Sequence, residues 1–138
     1  MSGLVDCDPG DPRFAAALAD AGLPAGAPAA RCFALSDGTG FGVIEGNGAD
    51  RLLRSVVVLP KLRGTGVGAA LVASLIEQAR SSGAERLWLL TTGAADFFAR
   101  LGWVVVDRDS APAGIRAGDQ FTTLCPASAT LMMRIVAR

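Results

Sequence analysis

Apolar residues return along this chain at two spacings, and those spacings lay out its elements. From Gly66 to Arg80 the positions Gly68, Leu71, Val72, Leu75, Ile76 and Ala79 recur at helical intervals, and Ser81-Ser82-Gly83 closes the segment. The pattern predicts a helix. Upstream, "RCFALS" and "GFGVIEG" are short apolar runs separated by "DGTG", whose Asp-Gly pair is a hairpin signal, so two antiparallel strands are expected. "DRLLRSVVVLP", from Asp50 to Pro60, mixes charge with leucine and then ends in Val56-Val57-Val58-Leu59. Its second half reads as a strand buried on both faces and stopped by Pro60.

The remaining segments follow the same rules. Asp11-Pro12 offers an N-cap and a first-turn proline, and Phe14, Leu18 and Ala21 extend a short helix to Gly22. "RLWLLT" reads as a buried strand, "AADFFARLG" as a short helix ended by Gly102, and "WVVVD" as the next strand. In the last third, Pro112 to Ala117 forms one helical turn or two, and Ala129 to Val136 a final strand. A β-α-β-α-β succession across residues 53–107 makes the expected fold α/β with a central mixed sheet flanked by helices. No repeat or linker interrupts it, so residues 1–138 are expected to form a single domain.

Composition narrows the chemistry. The net charge is zero with 51% hydrophobic residues, which suits a compact protein and argues against nucleic acid as a partner. No apolar run approaches the roughly 18 residues of a membrane span, and "MSGLVDCDPGDPR" lacks the make-up of a signal peptide, so a cytoplasmic protein without a membrane partner is expected. The three cysteines, Cys7, Cys32 and Cys125, form no Cys-x-x-Cys pair. Neither a disulfide framework nor a metal site is suggested, and Cys7 and Cys32 are expected to be inert. Histidine and tyrosine are absent altogether, which removes the commonest general base and the phenol as a proton donor.

The candidate chemistry centres on Gly64-Thr65-Gly66-Val67-Gly68, set between a strand and a helix. Helix-opening amides have no internal acceptors and sit at the positive end of the helix dipole, so glycines there make an anion site. A Walker loop would need Lys and then Ser or Thr after its last glycine, but Ala69-Ala70 follow. The dinucleotide fingerprint is formally met, yet it calls for an acid at the end of the next strand, which here ends "LLTTG".

With its surroundings, "VVVLPKLRGTGVGAALV" resembles the acetyl-CoA loop of the GCN5-related N-acetyltransferases (GNAT), whose Gln/Arg-x-x-Gly-x-Gly/Ala signature is matched by Arg63, Gly66 and Gly68. "ADFFARLGW" occupies the place of that family's helix and Gly-Phe turn, and the element order corresponds from about residue 31 to residue 138. "LLRSVVVLPKLRGTGVGAALV", "LLTTGAADFFARLGW" and "LCPASA" are most similar to the branch of these enzymes associated with arsenic resistance.

The resemblance implies a GNAT-like acyl-CoA N-acyltransferase fold, with acetyl-CoA as cofactor and a small-molecule amine as substrate. Val56, Val57 and Val58 would pair with the pantetheine arm through their backbone, and Arg63, Gly64, Thr65, Gly66, Val67 and Gly68 would hold the pyrophosphate. The family's acidic tyrosine falls four residues before Gly102, at Phe98, which cannot donate a proton and is expected to pack against the coenzyme or fill core. Thiolate protonation then falls to water.

Glu45 and Asp50 are the candidate bases, each acting through a water or else an ordinary carboxylate at a turn. Ser55 and Cys125 join Glu45 as candidate catalytic groups; Cys125 could donate a proton, accept an arsenical or simply be buried. Arg54 and Arg116 are candidate binders of an acceptor oxyanion, with a surface arginine as the plain alternative at position 116. Nothing nearby activates a cysteine nucleophile, so direct transfer in a ternary complex is expected. The acceptor expected is a small anionic amine, amino-acid-like and on the arsenic-branch likeness an arsenical. Other acceptors are an amino acid, polyamine or antibiotic amine. A non-catalytic acetyl-CoA sensor is a different class, and a homodimer is the assembly suggested by fold analogy.

Overall fold

The structure is a computed structural model that describes residues 4–6, 30–36, 39–46, 48–58, 66–112, 115 and 129–137. The chain divides into two compact units, one of residues 1–45 and 53–78 and the other of residues 46–52 and 79–138. Among the described residues no helix is long and apolar enough to cross a membrane.

In the first unit β1 (Leu4–Asp6), β2 (Ala30–Leu35) and β3 (Gly40–Glu45) pair antiparallel in sequence order. The later residues of β4 (Asp50–Val58) lie beside β3. The expected hairpin strands are therefore β2 and β3, with Phe33 opposite Gly42 and Ala34 opposite Phe41. β1 carries too few residues to show a period, so the sequence pattern did not reveal it.

The helix expected after the glycine loop is α1 (Val67–Ser81). Leu71, Val72, Leu75, Ile76 and Ala79 are all buried, as their spacing requires. What seats the helix is less visible in the sequence. A Cβ on Gly42 would stand 2.5 Å from Leu75 Cδ1, and one on Gly40 would stand 3.0 Å from Leu71 Cδ2. Bare backbone at alternate positions of β3 thus receives the leucines of α1, while the intervening Phe41 and Val43 are buried as well.

The second unit holds a mixed sheet in the order β4, β5 (Arg86–Thr91), β7 (Thr130–Ile135), β6 (Val104–Val105). The first residues of β4 run parallel to β5, with Asp50 beside Arg86 and Leu52 beside Trp88. β7 runs antiparallel to both β5 and β6. Leu52, Trp88, Ala111, Ile115 and Leu131 form a buried cluster, with Leu90, Val106 and Met133 packed against it. The short helix expected before Gly102 is α2 (Ala95–Arg100), and Gly102 takes the left-handed φ of 93° that lets the chain turn away.

Three expectations change. β4 runs from Asp50 rather than from the valines alone, and its valine half is not buried on both faces. Val57 is buried while Val56 and Val58 are only half-buried, the alternation of a strand with one covered face. "WVVVD" supplies only the two-residue β6, whose Val104 and Val105 are 53% and 64% exposed, because β6 stands at the end of the strand order with β7 on one side only. A 3-10 turn at Arg108–Ser110 was not anticipated. Of the turn expected over residues 112–117, the described part is Ile115 donating its amide to the Pro112 carbonyl at 3.0 Å. The helix expected over residues 11–22 lies outside the described residues.

The fit of α1 on β3 predicts that Gly42→Val forces the Leu75 side chain out of place and costs about 1–3 kcal/mol of stability, as overpacking a filled core does. A denaturant midpoint unchanged from the parent would show that β3 and α1 do not meet at this position.

Candidate functional site

The loop expected to hold an anion ends at α1. Leu59 to Thr65 lie outside the described residues, and Arg63, Gly64 and Thr65 with them. Gly66 itself takes φ 90°, a value that side-chain-bearing residues rarely adopt, and its carbonyl accepts the amide of Ala70 at 3.1 Å. Among the described residues, its own chain neighbours aside, none has an atom within 4 Å of where a Cβ on Gly66 would be. Val67 and Gly68 begin the helix, where the first amides have no intrahelical acceptor. The first turn carries no acidic side chain to compete for them. Such a terminus favours a bound anion.

On β4, just before the valines, Arg54 is the one buried charged residue among those described, its side chain 4% exposed. Its Nε stands 3.3 Å from Oε2 of Glu45 at the end of β3, and the Glu45 side chain is 22% exposed. The two charges are close enough to attract. Yet Arg54 Nε, Arg54 Nη2 and Glu45 Oε2 are all buried without a hydrogen-bond partner. The pair is therefore an ion pair by distance in which the guanidinium N–H is not directed at the carboxylate. Its desolvation is only partly offset, because charge attraction inside a protein repays burial when hydrogen bonds complete the geometry.

The structure thus brings together Glu45 and Arg54, which the sequence had offered for separate roles. Their partnership left no signal in the sequence, since eight residues of turn and strand separate them. Ser55 is placed in β4 by its backbone, and its side chain lies outside the described residues. Arg116 and Cys125 lie outside them too. Cys32 is buried in β2.

In the second unit the reading of Asp50 as a base is corrected. Its carboxylate accepts from Arg86 Nε at 2.6 Å and Nη2 at 3.0 Å, and from Trp88 Nε1 at 2.9 Å. The Arg86 hydrogen bonds hold its carboxyl below the ordinary carboxylate range, with lesser help from Trp88 and against some desolvation. A carboxylate so engaged is a poor proton acceptor. The partners arise from the parallel register of β4 on β5, which puts Asp50 beside Arg86. Phe98 is buried, with its ring edge-on to Phe97 at 5.1 Å and to Trp103 at 5.6 Å between centroids.

Residues 7–103 of the chain match the Acetyltransferase (GNAT) family. Solved structures share its fold. N-acetylglutamate synthase from Neisseria gonorrhoeae, in complex with coenzyme A and N-acetyl-glutamate, superposes with a TM-score of 0.80 at 21% identity, over 100% of this chain. This chain spans only 36% of that protein's length. The ribosomal-protein-S18-alanine N-acetyltransferase from Escherichia coli matches with a TM-score of 0.69 at 18% identity, over 100% of this chain and 96% of that one. An aminoglycoside 6'-N-acetyltransferase complexed with coenzyme A matches with a TM-score of 0.69 at 14% identity, over 96% of each. No curated protein matches the chain in sequence.

Because the folded Asp50 holds its proton less tightly than the unfolded chain does, it contributes stability above the ordinary carboxylate range, and that contribution is lost as pH falls through its lowered value. Asp50→Asn is expected to be less stable than the parent at neutral pH, with the gap closing in acid. Thermal melts of the two proteins across that range that stay parallel would overturn the assignment.

Proposed function

The chain belongs to the Acetyltransferase (GNAT) family, and we propose that it moves an acetyl group from acetyl-CoA to the primary amine of a small, carboxylate-bearing acceptor of the amino-acid kind. The observation that carries the acceptor class is Arg54, a buried guanidinium whose Nε and Nη2 lack hydrogen-bond partners. These two nitrogens lie along one edge of the group, the edge that grips a carboxylate with two parallel bonds. An acceptor carboxylate there would supply what the protein leaves unmet.

The other roles are those that the family membership supports. Residues 63–68 bind the coenzyme pyrophosphate, Gly66 through Gly68 doing so at the mouth of α1. The backbone of Val56, Val57 and Val58 lines the pantetheine arm, and one of their amides faces the thioester oxygen to stabilise the developing oxyanion. The acceptor ammonium gives a proton to Glu45, and the freed amine attacks the thioester carbon. The carbon–sulfur bond breaks, the new amide sheds its extra proton to water, and the departing thiolate, a tolerable leaving group since an ordinary cysteine thiol has a pKa of about 8.5, takes a proton from water. Phe98 contributes packing beside Trp103 and no proton.

The synthase of similar fold was seen with coenzyme A and N-acetyl-glutamate, an acetylated amino acid, which supports the same acceptor class. An amino-acid-like arsenical falls within that class, and the motif likeness to the arsenic-resistance branch is what supports it. Arg116 is a second oxyanion binder in this proposal, and Cys125 and Ser55 are further catalytic candidates.

Three measurements test the proposal. A thiol-release assay with acetyl-CoA over amino acids, an arsenical amino acid, polyamines and aminoglycosides should show turnover on the carboxylate-bearing amines; tight coenzyme binding with no turnover on any amine would favour a sensor instead. Gly66→Asp should weaken coenzyme affinity by at least about tenfold, since it adds charge and a strained side chain where the phosphates sit. Arg54→Ala should raise the acceptor KM by about ten- to a hundredfold, the range of a lost charge-assisted hydrogen bond or two, with coenzyme affinity kept. Loss of coenzyme binding alone would remove Arg54 from the acceptor site.

A further inference from the structure

Glu45 and Arg54 are two opposite charges held close but poorly matched, and each has a different freedom to move. Arg54 sits within β4 with its side chain almost wholly covered, whereas Glu45 ends β3 immediately before the exposed Gly46, whose φ is 99°. A carboxylate at a strand end can swing away; a guanidinium inside a strand cannot. The second unit shows what a satisfied arginine edge looks like, with Arg86 Nε and Nη2 at 2.6 and 3.0 Å from the two Asp50 oxygens. Glu45 reaches Arg54 Nε only at 3.3 Å, without a directed bond, and leaves Nη2 unserved. It neutralises Arg54 without occupying the edge.

We propose that Glu45 is a displaceable counter-ion of Arg54, exchanged for the acceptor's carboxylate, so that the base is released to the amine only when a carboxylate arrives with it. The inference rests on the acceptor reading above. Charge balance is its physical basis. With a zwitterionic amino acid bound, charges alternate from Arg54 to the acceptor carboxylate, and from the acceptor ammonium to Glu45, so none is left buried and alone. An amine without a carboxylate can draw Glu45 only by leaving Arg54 an unpaired buried cation, which is strongly disfavoured. Selection among amines therefore acts on turnover as well as on binding. Released Glu45 accepts one ammonium proton and passes it to solvent, and the transfer otherwise proceeds as described.

Splitting the acceptor into two molecules tests the exchange. With saturating acetyl-CoA, propylamine alone should turn over slowly, and added propionate should accelerate it saturably by about tenfold or more, because it fills the Arg54 edge and frees the base. Glu45→Gln should bind propionate about tenfold more tightly, since a charged competitor for the guanidinium is gone, while kcat on the intact amino acid falls. A Glu45 that only supports structure would loosen propionate binding. If amino acids are turned over but propionate leaves propylamine turnover unchanged or inhibits it, the exchange is wrong and the acceptor reading stands. If amino acids are not turned over at all, both fail. The propionate titration of the parent protein decides the matter even where Glu45→Gln does not fold.

Discussion

Leucine side chains pressed against bare backbone hold the first unit in register. Leu71 and Leu75 of α1 come so near to Gly40 and Gly42 of β3 that a methyl group on either glycine would intrude on them. This approach fixes the helix over the strand that ends in Glu45, and β4 with Arg54 lies alongside. A larger residue on β3 would push α1 off its present seat.

Two arginines show the same side chain in a satisfied and in an unsatisfied setting. Arg86 commits its Nε and Nη2 edge to Asp50, whose carboxylate also accepts from Trp88 Nε1. Arg54 is more deeply buried yet keeps Nε and Nη2 unpartnered, with a glutamate nearby that balances its charge and does not complete its geometry. A protein built for stability alone would gain by pairing that edge or by replacing it with an apolar residue. An unsatisfied buried cation costs stability, and that cost is why Arg54 carries the acceptor proposal.

Much of the layout was legible from spacing alone, and for definite reasons. α1 was marked out by periodicity because one face of the helix is buried, and β5 by an apolar run whose Leu87, Trp88 and Leu89 are buried. β6 was overestimated because its valines are apolar but lie at the end of the strand order, where a hydrophobic residue meets solvent. β1 was missed because three residues cannot show a period. Gly40 and Gly42 look like flexibility in a sequence, and only the leucines above them reveal that they are packing.

The sequence by itself determined the order of β2 to β5 with the glycine-opened helix between β4 and β5, and the lack of histidine and tyrosine, because these are read along the chain. Tertiary structure decided which carboxylate is fully engaged and which is loosely matched. Asp50 and Glu45 are both acids beside the same turn, and strand register alone gives Asp50 to Arg86 and Trp88 while setting Glu45 against a buried, unsatisfied Arg54. Charges interact through space over a few ångströms, so that distinction exists only once the strands are laid side by side.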